Sequence, residues 1–111
     1  MAAGTTIAGR GARQFQALFE LINAGKVVND FASAAANAGS TLSVTGVSGA
    51  ALGDIVWVIP GVACAGTQYF GYVSAADTIE IRYQNGTAGA VDPASQTLRY
   101  IVLRPRGDFA I

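Results

Sequence analysis

The sequence predicts a mainly β protein: a small antiparallel β-sandwich or barrel of five to six strands, behind an N-terminal arm that can hold a short helix. Three observations carry that expectation. Short runs with period-two alternation recur from Ser40 onward. Gly, Pro, Asn and Asp separate those runs at short intervals, as turns require. The chain has 111 residues, 51% hydrophobic and only 13% charged. That suits one small apolar domain with about half the usual charge.

Along the chain, residues 1–39 read as an arm and linking segment, 40–105 as the β domain and 106–111 as a C-terminal tail. The arm is Gly- and Ala-rich, and Arg10 and Arg13 make it mildly cationic, with no acid before Glu20. Two periods compete in residues 13–23. Phe15, Leu18, Phe19 and Ile22 fit an amphipathic helix stopped at Gly25. Phe15, Ala17, Phe19 and Leu21 fit a strand instead, and Asn23–Lys26 followed by Val27-Val28 could turn a hairpin. The helix template leaves fewer apolar residues on its polar face. Asn29-Asp30 then opens an Ala-rich turn through Phe31 to Asn37.

The β runs follow. Thr41–Thr45 alternates, Gly46–Gly53 is a loop, and Asp54–Pro60 is an apolar strand stopped by proline. Gln68–Val73 is the next strand, joined by the tight Ser74–Asp77 connection to Thr78–Gln84. There Ile79, Ile81 and Tyr83 point one way and Thr78, Glu80 and Arg82 the other. Asn85-Gly86 is a hairpin signal, Asp92-Pro93 a type I turn, and Thr97–Arg104 the last strand, ended by Pro105. Ile55–Ile59 and Tyr100–Leu103 are apolar on both faces. A half-buried antiparallel strand should keep one face polar, so these two need a second cover, from a neighbouring subunit or the N-terminal segment.

Composition excludes much chemistry. Seven Lys and Arg balance seven Asp and Glu, histidine is absent and there is one cysteine. No disulfide within the chain, no Cys/His zinc site and no histidine-based catalytic triad can form. A neutral chain lacks the cationic face that nucleic acid requires. The longest apolar run, Ile55–Gly66, is broken by proline and glycines and is too short to span a bilayer as a helix. The N-terminus does not read as a secretory signal, so a cytoplasmic origin is expected. Asp54, Asp77 and Asp92 sit where carboxylates cap turns, and Glu80 can pair with Arg82 or Arg99. Cys64, with no cation beside it, reads as a small hydrophobe. No catalytic residue, metal or cofactor is expected. Small size, low charge and missing staples imply that other chains cover part of the apolar surface. Trp57, Tyr69, Phe70, Tyr72, Tyr83 and Tyr100 could alternatively stack on sugars, although core packing is the commoner use of strand aromatics.

Four blocks carry a further signal. They are Gly49-Ala50-Ala51-Leu52-Gly53-Asp54 with its following strand, Tyr72-Val73-Ser74-Ala75-Ala76-Asp77-Thr78-Ile79-Glu80-Ile81-Arg82, Asn85-Gly86-Thr87, and Asp92-Pro93-Ala94-Ser95 followed by Thr97-Leu98-Arg99. In this order they resemble a recurrent module in small structural proteins of tailed bacteriophages, over a little more than half the chain. The sequence departs from that pattern at Pro60-Gly61-Val62, where the family has a double proline, and at Leu98, where an aromatic often stands. The resemblance implies a non-enzymatic capsid decoration, or cement, protein that binds the major capsid protein as an oligomer, a dimer or trimer. Its location would be the virion surface, with the host cytoplasm during assembly. Fibre or tail-tip binding to host glycans is the alternative. Contact candidates are Arg10, Arg13, Phe15, Leu18, Phe19 and Ile22 on the arm, and Trp57, Ile59, Ile101 and Leu103 on the doubly apolar strands.

Overall fold

The structure, a computed structural model, describes residues 15–106. Its strands are β1 (Phe19–Asn29), β2 (Gly39–Thr45), β3 (Ile55–Ile59), β4 (Thr67–Ala75), β5 (Thr78–Asn85) and β6 (Gln96–Pro105). They make one antiparallel sheet in the order β1-β6-β3-β4-β5-β2, with every neighbouring pair antiparallel. The sheet curls into a half-barrel whose two edges are β1 and β2. A single turn of helix at residues 15–18 precedes β1.

Alternation decides which residues fill the concave face. β5 sends Ile79, Ile81 and Tyr83 inward, fully buried, and β6 sends Leu98, Tyr100 and Val102. Val56 and Val73 join them from β3 and β4. Burying such side chains stabilises by about 1.5–3 kcal/mol each. A half-barrel cannot close its own mouth, and the connections do so. Phe31 and Ala34 come from the segment linking the two edge strands, and Val47 and Ala50 from the loop after β2. The Phe31 ring stacks on Tyr83 with centroids 5.4 Å apart, and Tyr69 lies 6.0 Å from Phe31.

Two hydrogen-bonded knots hold the ends of the half-barrel, and three of the four sequence blocks supply residues to them. At one end Asp77, at φ 58°, accepts the Gly49 N–H on its carboxylate and the Val47 N–H on its carbonyl, while its own N–H donates to Ala50. Asp54 accepts the Ala51 N–H and both guanidinium bonds of Arg104, each 2.8 Å. At the other end the buried Asn85 donates to the carbonyls of Ala34, Ala35 and Gly89 and accepts from the Thr87 N–H and hydroxyl.

Three expectations change. Residues 19–23 are strand, not helix, and Gly25 lies inside β1 opposite Tyr100, whose ring occupies the space a side chain would need. A β-bulge between Leu21 and Asn23 turns Ile22 toward the core, which is why neither period fits the segment cleanly. No hairpin forms at Asn85-Gly86, because β6 pairs with β1 and β3 rather than β5. Glu80 forms no ion pair with Arg82 or Arg99 among the described residues; Arg82 instead donates to Thr41 and Gln84.

Candidate functional site

With the large aliphatic residues of β5 and β6 inside, the residues at alternate positions line the convex face. On β3 those are Ile55, Trp57 and Ile59, because Val56 and Val58 face the core. The register extends the row. Ile55 lies opposite Leu103 on β6 and Tyr72 on β4, and Leu103 opposite Leu21 on β1. Trp57 lies opposite Ile101, and Phe70 shares the face of Tyr72 two residues away. The result is an apolar band across four strands. Trp57 is 49% exposed, Phe70 48%, Tyr72 45%, Ile59 43% and Leu21 62%. Such a contiguous apolar patch on a small protein marks an interaction surface.

Its polar rim is unbalanced. Lys26 and Arg99 lie directly opposite each other across β1 and β6, with Ile59 on the other side of Arg99. Arg82 is opposite Phe70, and Glu80 opposite Tyr72. Among the described residues, three cations and one acid therefore border the band. Like charges directly opposed across two strands destabilise a sheet, so the fold tolerates a local cost at Lys26 and Arg99.

The expected contact residues separate in space. Trp57, Ile59 and the half-buried Ile101 come together on the band. Leu103 has the same facing but is only 2% exposed. Phe15 and Leu18 are exposed on the helical turn, Phe19 is half-buried at the start of β1, and Ile22 packs against the core. Arg10 and Arg13 lie outside the described residues. The aromatics divide likewise: Tyr69, Tyr83 and Tyr100 belong to the concave side, and only Trp57, Phe70 and Tyr72 look outward. Phe70, Tyr72 and Leu21 were missing from the contact candidates. Period-two alternation in Gln68–Val73 would have found the first two.

Other places offer little chemistry. An open depression of about 580 Å³ at one end is lined by Val28, Pro60, Gly61, Ser95, Gln96, Thr97 and Arg99, with Arg99 its one charged group. The carboxylates of Asp54 and Asp77 are engaged in the end knot, and the Arg104 bonds hold the Asp54 carboxyl below the usual carboxylate range against the opposing effect of burial. Burial pushes the Tyr83 phenol up. Cys64 lies exposed in the β3–β4 loop rather than packed. Among the described residues no three His, Cys, Asp or Glu side chains converge as a metal site would need, and no helix is long and apolar enough to cross a membrane. Comparison with protein-family models, with curated proteins and with solved structures finds no match.

Proposed function

We propose that this is a non-enzymatic structural protein of a bacteriophage virion, which decorates the capsid by docking its convex apolar band on the major capsid protein. The observation that carries the reading is the band itself: Trp57, Phe70, Tyr72, Ile59 and Leu21 exposed together on one face of the sheet. Trp and Tyr anchors in an apolar centre ringed by charge are the usual make-up of a binding hot spot. The rim specifies the partner's chemistry. Lys26, Arg82 and Arg99 favour an apolar patch bordered by carboxylates, and they oppose face-to-face pairing with a second copy of this chain. The phage setting rests on the four sequence blocks. Three of those blocks supply residues to the end knots, while Trp57, Tyr72, Arg82 and Arg99, from the blocks and the strand after the first, stand on the band and its rim.

The test is composition and binding of the particle. Mass spectrometry of virions should find the protein in proportion to the major capsid protein, and Trp57→Glu should abolish co-sedimentation with capsids while leaving the protein folded. Absence from virions, or unchanged binding by the variant, overturns the proposal. The outward Trp57, Phe70 and Tyr72 also suit a sugar-stacking surface. A glycan array separates the two: sugar binding lost in Trp57→Glu, with only a few copies per particle, would favour the fibre reading.

A further inference from the structure

We infer that the β2 edge is a self-pairing site, through which two copies join antiparallel into one continuous sheet. The Asn85 N–H donates to the Ala38 carbonyl at 2.8 Å, and the β2–β5 register runs on from there without a shift. In an antiparallel ladder the hydrogen-bonded pairs recur every second residue. Ser40, Leu42 and Val44 therefore turn their backbone groups to β5, while Thr41, Ser43 and Thr45 turn theirs outward from the sheet. All three are exposed, and among the described residues no strand lies beyond β2.

The two edges are not alike. β1 carries Glu20, Lys26 and the bulge at Ile22, the devices that keep an edge from recruiting a strand. β2 reads Gly-Ser-Thr-Leu-Ser-Val-Thr, without a charge, a proline or a bulge. It is an unguarded edge.

Its occupant follows from its self-complementarity. A two-fold axis at Leu42 sets Thr41 opposite Ser43 of the second copy and Gly39 opposite Thr45, so that outward N–H and C=O groups meet in phase on both strands. Hydroxyls face hydroxyls on the convex side, and the two half-buried Leu42 side chains meet at the concave rim. No charge of β2 is opposed. The nearest rim cations, the Arg82 pair, would stand three strand spacings apart, about 14 Å. Face-to-face pairing would instead press all three rim cations of each copy toward the other's. An isologous contact of this kind closes at two copies. Both convex bands then face the same way, so the dimer docks bivalently on a surface. The inference stands apart from the capsid reading, since it uses none of the residues of the apolar band.

Amide hydrogen exchange on the whole chain across micromolar to millimolar concentration tests it. The Thr41, Ser43 and Thr45 amides should exchange as surface amides when dilute and become protected in step with dimer formation in sedimentation velocity. Ser43→Pro removes one outward N–H and no β5 bond, and should raise the dimer dissociation constant at least tenfold; Ser43→Lys, which keeps the backbone, should do the same. Trp57→Glu should leave dimerisation unchanged. A monomer at every concentration, a ring or filament, or association that leaves those three amides unprotected overturns the inference. Loss of association in Trp57→Glu with none in the Ser43 variants also overturns it, and places self-contact on the convex face. Normal dimerisation with no binding to capsids would leave the edge pairing standing and remove the capsid reading.

Discussion

Asp54 shows how one short side chain fixes a long loop. Its carboxylate is 3% exposed and receives the Arg104 guanidinium in two bonds, while Arg104 also donates to the Gly49 carbonyl, tying β6 to both ends of the Gly49–Asp54 turn. A carboxyl whose folded value is lowered contributes stability in full above its unfolded value and loses it as pH falls through the folded one. Asp54→Asn should therefore cost about 1.5–3 kcal/mol at neutral pH, the range for hydrogen bonds to charged groups. The gap between variant and parent should narrow as pH drops below about 4, where the unfolded chain's carboxyl takes up its proton, and close only below the lower folded value. Urea unfolding at pH 7 and at pH 3 checks this; an equal gap at both would mean that shape, not charge, holds the loop. The position of Asp54 at a turn was legible in the sequence because a carboxylate before a strand commonly bonds local backbone. Its partner Arg104 was not, since 50 residues separate them and only the placement of β6 between β1 and β3 brings them together.

Strand by strand, the sequence announces what is local. The runs at β2 and β5 were legible from alternation, and those at β3, β4 and β6 from apolar runs punctuated by Gly, Pro and Asp. β1 was not, because the bulge at Ile22 shifts its facing midway and leaves a mixed period. The order of strands was not legible either: β6 sits between β1 and β3, a pairing of remote segments that no local signal encodes. The same holds for the band, where Trp57, Ile59 and Ile101 were readable as doubly apolar strands but the covering of Leu103 was not. Curl has a local requirement of its own. Gly71 lies on the concave side of β4, opposite Val56 and Ile81, and a methyl group there would come within 2.7 Å of Val56 Cγ1 and 2.9 Å of Val58 Cγ2. Gly71→Ala should cost about 1–3 kcal/mol through overpacking. Chemical denaturation reads it directly, and a neutral result would show that β3 and β4 can part without loss of the sheet.

At the scale of the whole molecule, a neutral, lightly charged chain gathers three cations round the exposed apolar band and sets two of them in direct opposition. A fold selected for its own stability alone would place an acid at one of those positions. Lys26→Glu makes that exchange: it converts the Lys26–Arg99 opposition into a cross-strand ion pair. It should stabilise the free protein by about 0.2–1 kcal/mol, the range for such a pair. If the rim serves an acidic partner, the same substitution should weaken docking on that partner at least tenfold, and more so at low salt, where exposed charges are least screened. Thermal melts and capsid co-sedimentation of the one variant read both effects. Higher stability with weaker docking is the signature of charge held for a partner; higher stability with docking intact would mean that the apolar band works without its rim.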